Sequence, residues 1–289
     1  MHDERPNFPP ILAIQSHVAC GHVGNSATTF PLQRLGFDVW PVHTTQLSRH
    51  KGYPDWAGDN LEADHVGRVL HGLQAPFIEQ NGAVLTGYLG SASVGREVAK
   101  FLRSIRASDA NISVHCDPVI GDTKPGVYVE AELVDVYREE IIPLTDCLSP
   151  NLFELSVLVN EKLAGKTAAV QAARELIKQG PTKVLVTSVI EPGSDQIATL
   201  LVTKNEAWAV ETWLLEAEKI PNGLGDLTSA LFLAALIEYG DPDQALGKAV
   251  DQVYCQLEAA VEAGSGEMQL VKNQDLIPYP HWSFEILSI

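Results

Sequence analysis

The sequence predicts an α/β domain in which a mostly parallel sheet lies between helices on both faces. Two observations carry that expectation. Short apolar runs such as ILAIQS (11–16), AVLTGY (83–88) and KVLVTSV (183–189) are continuous rather than alternating, as strands buried on both faces require. Between them lie stretches whose apolar residues recur every three or four positions, the period of a helix with one buried face. The 289 residues contain no repeat, low-complexity tract or linker, so one domain over 1–289, with a polar extension at 1–10, is expected.

Taken in order, 11–16 is the first strand and VWPVHTTQ (39–46) the second, with Pro41 an unusual member of a ladder. Leu61, Val66, Val69, Leu70 and Leu73 then share a helical face, and 83–88 is the next strand. Val94, Val98, Phe101, Leu102 and Ile105 mark a helix, ISVHCDPV (112–119) a strand, and roughly 131–142 another helix. DCLSPN (146–151) reads as a short strand entering a helix, followed by a second helix over about 166–179 and the strand 183–189. Residues 197–212 read as an antiparallel hairpin turning at Lys204-Asn205-Glu206. One helix begins near Gly225 and another covers about 243–263, with Leu246, Val250, Val253, Leu257 and Val261 on one face. From about 265 the tail reads as irregular.

Charge narrows the partners. Lys and Arg total 20 against 37 Asp and Glu, a net charge of −17. That balance argues against nucleic acid and against anionic membrane surfaces. No run approaches the ~20 apolar residues a membrane-spanning helix needs. The opening MHDERPNFPP is too polar and proline-rich for a signal peptide. Cys20, Cys116, Cys147 and Cys255 form no CxxC pair and read as buried free thiols of a reducing cytoplasm. An anionic ligand would have to find its positive potential locally, at helix ends, a few lysines or bound cations.

In open α/β sheets ligands bind beyond the carboxyl ends of the strands. Ser16, Thr45, Gln46, Tyr88, Asp117, Ser149, Asn151, Thr187 and Ser188 fall at those ends and form a pool of candidates. Four segments stand out. In IQSHVACGHVGNSA (14–27), Gly21 and Gly24 make a loop before Asn25, which can cap a helix; His17 and His22 lack a metal-ligand spacing and read as structural or substrate-adjacent. In HCDPVIGDTKPGVYV (115–129), Asp117 closes a strand, Asp122 lies five residues on, and the Gly/Pro/Lys stretch before Tyr128 suits a mobile flap. Such carboxylates can hold Mg²⁺ directly or through water, while a turn cap accounts equally for Asp117. In SPNLFEL (149–155), Asn151 and Glu154 can face one ligand or form a capping box. In PNGLGDLTSALFLAAL (221–236), Gly223, Gly225 and Asp226 stand where a buried helix begins. There, unpaired amides and the helix dipole make an anion site, unless Asp226 is merely the N-cap.

Together these segments resemble the pyridoxal kinases, the vitamin B6 branch of the ribokinase-like superfamily. The matching stretches, in family order, are IQSHV…GHVGNSATTFPLQRLGFDVW, TTQLSRH, LTGYLGS, CDPVIGD, SPNLFEL, VLVTS and NGLGD, spanning about residue 11 to the tail. The resemblance implies a three-layer ribokinase-like fold and transfer of a phosphoryl group from ATP to the 5′-hydroxymethyl of pyridoxal, or of pyridoxine or pyridoxamine. It implies that Asp226 is the base, with Gly223, Leu224 and Gly225 supplying amides to the migrating phosphoryl. It places Ser16, Val23, Tyr88 and position 51 around the pyridine ring. Asp117, Asp122, Asn151 and Glu154 would organise ATP phosphates, Mg²⁺ and an activating monovalent cation such as K⁺. Ser149, Thr187 and Ser188 would line the nucleotide and cation region, with Tyr128 in the flap. A cytoplasmic homodimer is implied as well. The nearest alternatives are a hydroxymethylpyrimidine-type vitamin kinase and a weakly active protein that stores pyridoxal phosphate.

One departure is evident. After His50, where the family usually carries threonine, this chain has Lys51. A lysine there can reach the ring phenolate, form a Schiff base with the aldehyde, or point to solvent, which strong hydration of an ammonium favours.

Overall fold

Residues that read as uninterrupted apolar runs become the centre of a ten-stranded sheet. The structure is a computed structural model, and it describes residues 8–108, 110–217 and 219–289. The first seven residues of the extension expected at 1–10 therefore lie outside the described residues.

The amino-terminal part runs β1 (Ile11–Val18), α1 (Asn25–Arg34), β2 (Val39–Leu47), β3 (Gly58–Asn60), α2 (Ala63–Glu79), β4 (Ala83–Thr86), α3 (Ala92–Arg106) and β5 (Ser113–Cys116). A small hairpin, β6 (Gly121–Asp122) and β7 (Gly126–Val127), precedes α4 (Ala131–Val136), β8 (Cys147–Leu148), α5 (Leu152–Val159) and α6 (Gly165–Ile177). The remainder is β9 (Lys183–Val189), β10 (Gln196–Thr203), β11 (Ala207–Trp213), α7 (Leu224–Tyr239), α8 (Pro242–Glu262) and β12 (Ile286–Ser288).

The sheet order is β12-β11-β10-β9-β8-β5-β4-β1-β2-β3. The six strands from β9 to β2 are mutually parallel; β10, β11, β12 and β3 add antiparallel edges. Successive side chains alternate between the two faces. Leu12 and Ile14 join the core beneath α2 to α6, whereas Ile11 and Ala13 join that beneath α1 and α7. The expected three-layer architecture is the one observed.

Several boundaries differ for physical reasons. Pro41 is tolerated in β2 because β3 pairs only with Thr45–Leu47, so the missing N–H at 41 faces an open edge. Val69, expected on the buried face of α2, is exposed; Val66, Leu70 and Phe77 form that face. The helix expected at 131–142 ends at Val136 and continues as a π turn to Ile141 and a 3-10 turn over Ile142–Leu144, where Pro143 cannot donate to the helical ladder. The tail is not wholly irregular, since β12 extends the sheet along β11. Asn25 is not a helix cap: Gly24 takes that position, and the Asn25 amide instead reaches the Gln15 and Val42 carbonyls and His43 Nδ1.

Candidate active site

Parallel strands deliver their carboxyl ends to one edge of the sheet, and the chain reverses its direction of growth between β1 and β4, which opens a crevice there. A cavity of about 540 Å³ occupies this edge. Asp117, Ser149, Asn151, Thr187 and Ser188 reach it from the ends of β5, β8 and β9, and Asp122 and Tyr128 from the flap. Glu154 enters from α5, and Gly223, Leu224, Gly225 and Asp226 from the start of α7. Residues scattered from 117 to 226 thus share one wall-to-wall space.

The start of α7 is built as an open anion site. Gly223 is its N-cap, left-handed at φ 85°, and no side chain caps the first turn. A β-carbon at 223 would sit 2.0 Å from the His22 carbonyl oxygen, whereas one at Gly225 would meet nothing within 4 Å. Glycine at 223 is therefore demanded by backbone conformation and by the neighbouring loop, while Gly225 leaves room beside its amide. Asp226 is not the N-cap; it stands in the first turn with its carboxyl half-buried. Desolvation raises its pKa to about 6, partly opposed by the Gly24 N–H that it accepts.

Two further carboxylates face the same space. Asp117 is buried and accepts from Ser229 Oγ at 2.8 Å. Burial, then the negative charges of Glu154 and Asp226, hold its pKa well above the ordinary range. Glu154 Oε1 accepts from the amides of Ile120 (2.9 Å) and Gly121 (3.2 Å), and its Oε2 from the Asn151 amide (2.9 Å). Asn151 Oδ1 in turn accepts from the Glu154 amide at 2.8 Å, and its Nδ2 donates to the Gly121 carbonyl at 2.9 Å. The capping box is thus formed, and it ties the base of the flap to α5. Burial raises Glu154 as well, although those three amides favour its ionised form.

Asp122 is exposed in the flap hairpin, and Tyr128 is 49% exposed over the cavity. Ser188 holds a left-handed φ of 61°, a strained conformation for a non-glycine residue and one that clusters at ligand sites. Among the described residues no three His, Cys, Asp or Glu side chains converge as a ready-made metal cage. The carboxylates do suit Mg²⁺ carried by a nucleotide, which keeps most of its water and takes only one or two protein oxygens. Asp117, Glu154 and Asp226 also form no ion pair with Lys or Arg among the described residues, and the first raises its pKa partly on account of the other two.

Ser16, Val23, Lys51 and Tyr88 do not line that cavity; they sit beside it at the β1, β2 and β4 ends. Ser16 is buried, and Gly24 packs so closely that a β-carbon there would lie 2.4 Å from Ser16 Oγ. Lys51 does not simply point into solvent: its Nζ lies 3.3 Å from Tyr88 Oη and 5.6 Å from the Trp56 ring centroid. His17 stacks on His43 at 4.4 Å, and the His22 carbonyl packs against Gly223. Two contacts absent from the sequence reading fasten the segment after β2 to this region: His50 Nε2 with Asn222 Nδ2 at 2.9 Å, and Tyr53 Oη donating to Glu267 Oε1 at 2.5 Å. Their partners are separated by 172 and 214 positions, so no local pattern could reveal them.

The carboxyl edge of the parallel sheet thus gathers bare helix-start amides, an adjoining aspartate and further buried carboxylates, the groups that a phosphorylated ligand and its cation would meet. Comparison with known proteins narrows this. The sequence pattern of the family described as phosphomethylpyrimidine kinase matches residues 74–271. A pyridoxal kinase PdxY from Corynebacterium diphtheriae is 36% identical over 282 residues, covering 96% of this chain and 99% of the relative. One from Pseudomonas entomophila is 40% identical over 281 residues, covering 96% and 97%. The solved structure of pyridoxal kinase from Leishmania donovani with ADP and pyridoxamine matches with a TM-score of 0.88 at 30% identity, covering 97% of this chain and 99% of that one. The pyridoxal kinase of Entamoeba histolytica matches with a TM-score of 0.89 at 25% identity, covering 98% of this chain and all of that one (100%). The chain belongs to the pyridoxal kinase family.

Proposed function

We propose that this enzyme transfers the γ-phosphoryl of ATP to the 5′-hydroxymethyl of pyridoxal, yielding pyridoxal 5′-phosphate and ADP, with pyridoxine and pyridoxamine as further acceptors. The observation that carries the reading is the juxtaposition, at the start of α7, of uncapped amides and the Asp226 carboxyl. Phosphoryl transfer needs little covalent assistance: in-line positioning and neutralisation of charge on the transferring group supply most of it. The amides of Leu224 and Gly225, backed by the helix dipole, receive the phosphoryl oxygens. Asp226, with a pKa near 6, is ionised at neutral pH and accepts the proton of the attacking hydroxyl.

ATP occupies the cavity beside Asn151, Thr187 and Ser188, with Tyr128 closing from the flap. Mg²⁺, when bound with the nucleotide, neutralises phosphate charge; Asp117 is the carboxylate we assign to it, directly or through water, with Asp122 beside it. Glu154 holds the flap base through backbone amides and adds negative charge, and a monovalent cation near Ser149 and Thr187 belongs to the same proposal. Pyridoxal takes the neighbouring space, its ring bordered by Ser16, Val23, Tyr88 and Lys51. A cytoplasmic homodimer is inferred from the resemblance alone. Among the described residues no helix is long and apolar enough to cross a membrane.

One assay tests the reading: purified protein with MgATP and, separately, pyridoxal, pyridoxine, pyridoxamine and hydroxymethylpyrimidine, each monitored for its phosphate ester. Preferred turnover of a B6 vitamer is expected. Preference for the pyrimidine would transfer the assignment to a hydroxymethylpyrimidine-type vitamin kinase, and tight pyridoxal phosphate binding with turnover below ~1 s⁻¹ would favour a storage role.

A further inference from the structure

Behind Asp117 runs a line of polar side chains, of which His115 and Ser229 have no part in the reaction as described and Ser149 stands only near the proposed monovalent cation. His115 Nε2 lies 3.1 Å from Ser149 Oγ, which lies 2.8 Å from Ser229 Oγ, which in turn donates to Asp117 Oδ2 at 2.8 Å. All four side chains are buried, His115 completely. They arise from β5, from the residue after β8 and from α7, bridging 34, 80 and 112 positions.

The line has a direction. His115 Nδ1 is buried and has no hydrogen-bond partner. An orphaned buried N–H is rarer in folded proteins than an orphaned acceptor, so the proton sits on Nε2 and Nδ1 keeps its lone pair. Phe232, packed edge-to-face 5.9 Å away, holds the ring plane. Each hydroxyl has a single proton to give. Ser149 therefore receives from His115 and donates to Ser229, the nearer of its two acceptors at 2.8 Å against 3.4 Å for the Cys116 carbonyl, and Ser229 donates to Asp117. The other Asp117 oxygen, Oδ1, makes no hydrogen bond to the described residues and is left to the cavity that Asp117 lines. Aligned hydrogen bonds in a buried chain strengthen one another.

We propose that His115, Ser149 and Ser229 are positioning residues, a one-way donor chain that fixes Asp117 as an acceptor and presents its second oxygen to the cation of MgATP. The inference rests on the assignment of Asp117 to that cation. Ser229 lies three residues beyond Asp226 on α7, so the same chain also sets the spacing between the helix of the base and the end of β5.

The test combines two measurements on the intact protein. In ¹⁵N-histidine-labelled protein, long-range proton–nitrogen correlations are expected to report the Nε2–H tautomer for His115. Calorimetric titration with MgATP is expected to give about tenfold weaker binding for Ser229→Ala and His115→Leu, the scale of one lost hydrogen bond to a charged group. Ser229→Thr and His115→Gln, which keep a donor in place, are expected to stay within about threefold of the parent protein, with the pyridoxal KM unchanged throughout. An Nδ1–H tautomer, or unaltered MgATP affinity in folded Ser229→Ala, overturns the proposal. Should His115→Leu fail to fold, Ser229→Ala and the tautomer decide. A parent protein that shows this binding pattern yet leaves pyridoxal unphosphorylated would remove the proposed reaction and keep the donor chain.

Discussion

Gly223 and His22 are packed so closely that a side chain at 223 has nowhere to go: its β-carbon would stand 2.0 Å from the His22 carbonyl oxygen. Residue 223 is also left-handed, at φ 85°. Gly223→Ala is therefore expected to destabilise the fold by about 1–3 kcal/mol, from backbone strain with the clash added. Gly225 has neither constraint, since a β-carbon there meets nothing within 4 Å. Gly225→Ala is expected to melt within about 2 °C of the parent while losing turnover, because its methyl enters the space assigned to the phosphoryl group. Thermal melts beside initial rates separate the two; equal stability loss in both variants would remove the phosphoryl site from the amides.

Asp226 makes a prediction with opposite signs for activity and stability. As a general base it must be ionised, so kcat/KM for pyridoxal should fall as pH drops through about 6. Asp226→Asn should lower turnover by about 10²–10⁴-fold while ATP still binds. Because the folded pKa is raised above the ordinary 3.8, the native state holds that proton more tightly than the unfolded chain. Stability from this group is present at acid pH and lost as pH rises through about 6. The asparagine variant should consequently melt higher than the parent at pH 8. Unchanged turnover would dismiss Asp226 as the base.

His43 supplies a separate pH response. Its Nδ1 lies 3.1 Å from Asn25 Nδ2, whose two protons it shares with the Gln15 and Val42 carbonyls, and its ring stacks on His17. Burial, then the neighbouring His17, lowers its pKa below 6.5, and burial lowers His17 too. Protonation would set an N–H against the Asn25 amide, which is already held by the Gln15 and Val42 carbonyls. For histidines with depressed pKa the unfolded chain binds more protons just below pH 6.5, so stability should decline as pH falls from there. His43→Gln, which retains an acceptor, should flatten that decline in urea titrations at pH 7.5 and 5.5. A slope equal to the parent's would place the acid sensitivity elsewhere.

Lys51 reaches Tyr88 Oη at 3.3 Å although the residue is otherwise exposed. A threonine cannot span that gap. Lys51→Thr is expected to raise the pyridoxal KM by roughly 3–10-fold, the scale of one hydrogen bond or cation–π contact, with the KM for ATP unaltered. Identical constants for all three vitamers would deny the lysine any substrate role.

Much of this architecture could be read in advance. The strands 11–16 and 183–189, the hairpin around Lys204–Glu206 and the helix starting near Gly225 all announce themselves through local period and turn chemistry, which depend only on neighbours in the chain. Four of the five two- and three-residue strands, β3, β6, β7 and β12, do not, because such pieces have no period and exist only where a partner strand offers its edge; the fifth, β8, was legible only as the start of DCLSPN. The same division runs through the site. NGLGD, CDPVIGD and SPNLFEL named the residues that face the cavity, since helix starts and strand ends are local events. Whether Asp226 was a cap, whether Glu154 bound a ligand or the backbone, and where Lys51 pointed were left open by spacing alone.

By itself the sequence determined which residue types stand at the carboxyl edge of a parallel sheet, because hydrophobic period and glycine placement dictate strand ends and helix starts. Only the tertiary structure decided which of them meet: Gly223 under His22, Lys51 on Tyr88, and His115 joined through Ser149 and Ser229 to Asp117. Those contacts are made by groups remote in the chain, and their directions follow from burial and from how many protons each atom can give, neither of which any short stretch of residues contains.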